Sequence, residues 1–96
     1  MIIIHNPRFD RQVEAAQRWL DEHGPPVEIA DELEWLKDHL KRNPAMYAVA
    51  ENARQPGLRR VYLGRIDYHV FYRYDERRQL IRFTAFRHAK RRPIRM

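Results

Sequence analysis

Apolar and polar positions change rhythm twice along the chain. Ile2-Ile3-Ile4 is an apolar β-branched run, so residues 2–5 suit a short strand. Phe9, Val13, Ala16 and Leu20 then recur at helical spacing on one face, behind Asn6 as N-cap and Pro7 as first helical residue. Gly24-Pro25-Pro26 ends that helix. Ile29, Leu33, Leu36 and Leu40 repeat the spacing in a second helix, closed by Asn43-Pro44. The short connection implies an antiparallel helical hairpin. Residues 45–56 fit neither period cleanly and read as a partly ordered loop closing at Gln55-Pro56-Gly57. Period two follows, with strand-like runs at about 58–63, 67–74 and 80–87. Gly64-Arg65 makes a tight turn between the first two, and Asp75–Gln79 a longer one. The order is β-α-α-β-β-β. It predicts a single α+β domain over residues 1–96, with the helical hairpin on one face of a small, mostly antiparallel sheet.

Alternation separates the faces of that sheet. A two-residue turn at Gly64-Arg65 sets Arg60 opposite His69 and Val61 opposite Tyr68. Val61, Leu63, Tyr68, Val70, Tyr72, Ile81, Phe83 and Ala85 then form an apolar set that packs under the helices. Arg60, Tyr62, His69, Phe71, Arg73, Arg82, Thr84 and Phe86, with His88 at the end, fall on the other face. That face is basic with aromatics interleaved, a pattern suited to anionic or protein partners. An ordinary solvated sheet face is the plainer reading. Trp19 and Trp35 flank the apolar helical stripes, either as helix–helix packing or as part of a partner groove.

Composition narrows the field. The 96 residues suit one domain with a modest core. With no cysteine there is no disulfide framework, cysteine-ligated metal or thiol catalysis. The initial apolar run is too short for a signal peptide or a membrane span, and a cytoplasmic protein is expected. His5, His23 and His39 lack ligand spacing, so neither a metal nor any other cofactor is expected. The net charge of +6 is unevenly spread. Residues 1–53 carry 6 Lys/Arg against 10 Asp/Glu, a net −4, and residues 54–96 carry 13 against 3, a net +10. The basic half seeks nucleic acid or an acidic protein segment, unless it serves only as a solvated surface.

The segment Leu58-Arg59-Arg60-Val61-Tyr62-Leu63-Gly64-Arg65-Ile66-Asp67-Tyr68-His69-Val70-Phe71-Tyr72-Arg73-Tyr74-Asp75 resembles the signature of RelE/ParE toxins. That signature is an Arg-Arg strand, a short Gly-containing turn and a Tyr-x-(Val/Ile)-x-Tyr strand ending in an acidic residue. Ala85-Phe86-Arg87-His88-Ala89-Lys90-Arg91-Arg92-Pro93 resembles the family's final strand and basic tail, and Asn43-Pro44 fits a common family position. The resemblance spans nearly the whole chain and is most specific over 58–92. It implies the same β-α-α-β-β-β fold. It also implies a bacterial type II toxin held in a hetero-oligomeric complex by a cognate antitoxin.

The resemblance leaves two branches. A ParE-like toxin poisons DNA gyrase by binding. A RelE-like toxin cleaves messenger RNA on the ribosome, which without metal needs a base, an acid and cations on the phosphate. RelE-like nucleases tend to have Arg where this chain has His69, and a tail Tyr that Arg87–Met96 lacks. These departures fit the ParE-like branch. In a nuclease, His69 and His88 would share acid–base work while Arg60 and Arg82 hold phosphate; otherwise the two are hydrogen-bonded surface histidines. A member that keeps antitoxin binding without toxicity is a third reading. Antitoxins are typically disordered and fold on binding, adding a helix in a groove and a strand. Arg60, Arg73 and Arg87 are the expected contacts for antitoxin carboxylates, with Trp19 and Trp35 on the helices. Lys90, Arg91, Arg92 and Arg95 are either target contacts or a solvated tail.

Overall fold

A computed structural model describes residues 1–49 and 57–90. The elements follow the order β1 (Ile2–His5), α1 (Pro7–His23), α2 (Ile29–Arg42), β2 (Arg59–Leu63), β3 (Tyr68–Asp75) and β4 (Leu80–His88). The strands form one sheet in the order β1-β4-β3-β2. β1 runs parallel to β4, and the other two pairs are antiparallel.

Both helices use the stripes their sequences supply. Phe9, Ala16 and Leu20 of α1 are buried with Ile29, Leu33, Leu36 and Leu40 of α2, and Val13 packs half-buried beside them. Val61, Leu63, Ile66, Tyr68, Val70, Tyr72, Ile81, Phe83 and Phe86 complete the core from the sheet side. Burying one such large apolar side chain contributes about 1.5–3 kcal/mol, enough to order helices that would be marginal alone. Gly24 follows α1 in an extended conformation just before Pro25-Pro26, and a Cβ there would lie 2.5 Å from Leu20 Cδ2 and 3.1 Å from Leu20 Cα, so a larger residue would make Leu20 shift. The helix corner is tied by Gln17, whose Nε2 donates to the Val27 carbonyl (3.1 Å) and whose Oε1 accepts from the Ile29 N–H (2.8 Å). That second bond caps α2, whose N-cap residue Glu28 makes no side-chain capping bond.

Two details of the sheet differ from the alternation pattern. The β2–β3 connection spans Gly64–Asp67, so Val61 pairs with Val70 and Tyr62 with His69. Arg60 lies opposite Phe71 rather than His69. The slip is an even number of residues, so the side assigned to each side chain survives. The second departure is a bulge in β4. Phe71 pairs with Ala85 but Tyr72 with Phe83, leaving Thr84 as the extra residue. Beyond it the phase inverts. Phe86 is buried in the core and His88 faces the helices, whereas Ala85 leaves the apolar set for the open face, where Arg87 joins it. Placing Phe86 and His88 on the open face and Ala85 under the helices is therefore corrected. Of the loop over 45–56, residues 50–56 lie outside the described part; Val49 forms an isolated bridge to Arg59 at the β2 edge.

Candidate functional site: the open face of the sheet

The helices cover one side of the sheet and leave the other open. Across that side, from β1 towards β2, Ile4 is followed by Arg82 and Arg73 in one row. The next row holds Ala85, Phe71 and Arg60, and a third holds Arg87, His69 and Tyr62. Four arginines thus surround a half-buried Phe71 and His69. Among the described residues, the carboxylates of this face stand towards its ends, at Asp75 with Glu76 beside it and at Asp67, and both aspartates are engaged. Asp75 accepts from the Arg78 backbone N–H at 3.2 Å and pairs with its guanidinium at 3.7 Å. Asp67 accepts the Tyr62 hydroxyl at 2.6 Å and pairs with Lys90 at 3.7 Å. The Tyr62 bond holds the Asp67 carboxyl below its ordinary range, with help from Lys90 and His88, while the same bond pushes the Tyr62 hydroxyl up.

His69 is the one imidazole among the described residues of this face. Its ring lies 5.3 Å from Tyr62 and 6.2 Å from Phe71, and its Nδ1 is buried without a hydrogen bond to the described residues. Burial, then the Arg60 charge, lowers its pKa below the usual value of 6.5, against a smaller opposing effect of Asp67. The ring is neutral at pH 7. It suits apolar contact or acceptance of a proton, and does not serve as a standing cation.

His88 stands on the far side of the sheet. Its ring packs against Tyr68 (5.0 Å) and Trp19 (6.2 Å), and its Nδ1 accepts the Lys90 N–H at 3.1 Å. The expected same-face pairing of His69 and His88 is therefore not made, because the Thr84 bulge separates them. Arg60, Arg73, Arg82 and Arg87 are brought together. Neither tryptophan enters the core. Trp19 is 46% exposed and lies on His23 and His88, and Trp35 is 52% exposed and lies on His39, 4.0 Å away. Each packs on a histidine of its own helix, Trp19 on one of β4 as well, and about half of each residue stays exposed. Arg91, Arg92 and Arg95 lie outside the described residues. Lys90 is exposed, held at the turn by Asp67.

Sequence reasoning missed Asn6 as a surface contributor. Its side chain makes no capping bond to α1; Oδ1 instead accepts from Arg82 Nη1 at 3.1 Å. It missed Gln12 as well, which accepts the Phe86 N–H at 2.8 Å beside the bulge. Both partners lie more than 70 positions away in sequence, at separations of 76 and 74, which no local pattern reports. No group of three or more His, Cys, Asp or Glu with metal-binding geometry occurs among the described residues. None of their helices is long and apolar enough to cross a membrane.

The fold is shared with solved toxins. The toxin–antitoxin complex RelBE2 from Mycobacterium tuberculosis contains a chain matching with a TM-score of 0.68 at 18% identity, covering 93% of this chain and 92% of that one. The intact Escherichia coli RelBE toxin–antitoxin complex matches with 0.67 at 11% identity, over 94% and 98%. The chromosomal ParDE system of Pseudomonas aeruginosa matches with 0.62 at 13%, over 94% and 97%. At such identities these matches establish the α+β fold. No protein of curated function matches the chain significantly. The model of the ParE toxin of the type II parDE toxin–antitoxin system matches residues 3–93. The chain belongs to the ParE toxin family of type II toxin–antitoxin systems.

Proposed function

We propose that this chain is a ParE-like toxin that inhibits DNA gyrase by binding it in the cytoplasm, and that a cognate antitoxin neutralises it. The observation that carries this reading is the match of residues 3–93 to the ParE toxin family. The geometry of the open face supports it. Metal-free RNA cleavage needs an acid for the leaving 5′-oxygen as well as a base for the 2′-hydroxyl. His69 supplies at most the base. His88 lies across the sheet, and the Tyr62 hydroxyl is committed to Asp67. A docking surface needs only charge and apolar area, and both are present.

Antitoxin contact is proposed at Arg60, Arg73 and Arg87, which share the open face, and at the half-exposed Trp19 and Trp35 on the helical layer. Lys90 and the basic residues Arg91, Arg92 and Arg95 are proposed to touch the target. The test uses the purified chain free of antitoxin. Gyrase supercoiling is assayed beside messenger RNA cleavage in a translating cell-free extract. Inhibited supercoiling with stabilised DNA breaks and intact RNA is the expected result. Cleaved ribosome-bound RNA with unaffected gyrase would overturn it and make His69 and Arg60 the first residues to substitute.

A further inference from the structure

The outer surfaces of the two layers carry opposite charge. Residues 28–38, the first turns of α2 with Glu28 before them, hold five carboxylates against Lys37 alone. Glu32 pairs with Arg65 at 3.4 Å and Glu34 with Lys37 at 3.7 Å. Asp31 and Asp38 have no ion pair among the described residues, and both are exposed. At positions i−4 and i+3 they flank Trp35 on the helix surface. The indole is ordered there: His39 Nδ1 bonds the Trp35 carbonyl at 2.9 Å, and the two rings lie 4.0 Å apart. Trp35 is nonetheless 52% exposed.

The open side of the sheet is the converse. Arg60 and Arg87 stand on diagonal corners of a patch whose middle strand presents Phe71 and His69 and whose β2 edge presents Tyr62. Neither arginine has an ion pair among the described residues. Tyr62 is 53% exposed, and its hydroxyl is tied to Asp67, which Lys90 in turn neutralises. Aromatics already held in place on both surfaces lose little freedom on contact. The arginines alone would suit any acidic chain. A second copy is singled out because α2 supplies what the sheet lacks, carboxylates around a fixed indole, and the sheet supplies what α2 lacks.

We propose that copies of this chain, free of other partners, associate head to tail, with the Asp31–Trp35–Asp38 face of α2 in one copy docked on the Arg60–Phe71–Arg87 patch of the next. The two surfaces differ and belong to opposite layers, so the contact does not close on itself and repeats from copy to copy. A small charged interface of this kind is weak and salt-dependent. It hides the open face increasingly as free chain accumulates, and it stands whether or not gyrase is the target.

Sedimentation velocity on the full chain at low salt reads the association directly. The mean sedimentation coefficient is expected to rise with concentration without levelling at the dimer. It should return to the monomer's at about 1 M salt, where screening acts within about 3 Å. W35A should weaken the association at least about threefold, and D31K/D38K and R60E/R87E should each abolish it. Each reversal changes the charge by two, so R60E/R87E carries +2 and D31K/D38K +10, against +6 for the parent. Copies of R60E/R87E repel one another least, so loss of association in that variant is not a net-charge effect. All four reversals in one chain restore the +6 and the complementarity with its signs exchanged, and should restore association. The substituted residues are exposed, and thermal unfolding of each variant checks the fold. A chain monomeric at every concentration overturns the proposal and leaves the open face to a partner of another kind. A plateau at the dimer overturns it too, since that requires a closed two-fold contact. So does association unchanged in R60E/R87E, or a folded fourfold variant that stays monomeric.

Discussion

The His69 ring is disfavoured in its charged form by burial and by Arg60. Its folded-state pKa lies below the 6.5 of the unfolded chain. In the window just below 6.5 the unfolded state therefore binds more protons than the folded one. Stability then falls as the pH drops from 6.5 through the depressed folded value, and this contribution is constant below it. Replacing the ring with a neutral amide removes the effect. The H69Q variant is expected to lose less stability than the parent between pH 8 and pH 5 in urea unfolding, and the parent His69 to titrate below 6.5 by NMR. A greater acid loss in H69Q would contradict the account. Tyr72 behaves in the opposite sense. Burial pushes its hydroxyl up to about 12 against the nearby Arg59, and it donates to the Pro44 carbonyl at 2.9 Å. It stays protonated through any physiological range and acts as a fastener between β3 and the end of α2.

At the level of elements, α1 is joined to β4 by more than apolar contact. Gln12 accepts the part-buried Phe86 N–H at 2.8 Å, just past the bulge, on the edge of β4 opposite β3, where the pairing with β1 has ended. Removing the acceptor leaves a backbone donor without its partner, at a cost of about 1–3 kcal/mol. Q12A is expected to lower the unfolding free energy by that amount and to speed amide exchange at Phe86, while Q12E, which keeps an acceptor oxygen, stays near the parent. The same junction shows what the sequence carries and what it hides. The helical stripes and the β-α-α-β-β-β order were legible because 3.6- and two-residue periods follow directly from burial. The bulge was not, because strict alternation was carried through Thr84. A sign of it was present: Ile81 and Phe83 are followed by an apolar aromatic at Phe86, three positions on, and not by a large one at Ala85. The length of the β2–β3 turn escaped for a different reason. Asp67 adopts the left-handed region (φ 63°), which an aspartate tolerates and a sequence containing Gly64 does not call for.

At the scale of the molecule, the charge split acquires a shape. Of the net −4 of residues 1–53, α1 and α2 carry −1 each and Glu28 between them another −1, whereas most of the net +10 of residues 54–96 belongs to strands β2 to β4 and the residues after β4. Helices cover one sheet face, so Arg60, Arg73, Arg82 and Arg87 project from the other as one basic field. Several like charges on one face act together on an approaching acidic chain and steer it before contact. Screening sets the range of that effect: about 10 Å at 0.1 M salt and about 3 Å at 1 M. If carboxylates of the antitoxin meet this face, reversing Arg60, Arg73 and Arg87 to Glu must weaken the complex at least about tenfold at low salt. The loss must shrink as salt rises, because part of it is long-range repulsion. Reversing Arg8, Arg11 and Arg18 on α1 changes the net charge by the same amount without touching the sheet, and serves as the control. Calorimetric titration of the antitoxin into each variant measures both. Equal losses in the two triple variants would reduce the effect to net charge alone, whereas a loss confined to the sheet variant locates the interaction on the open face.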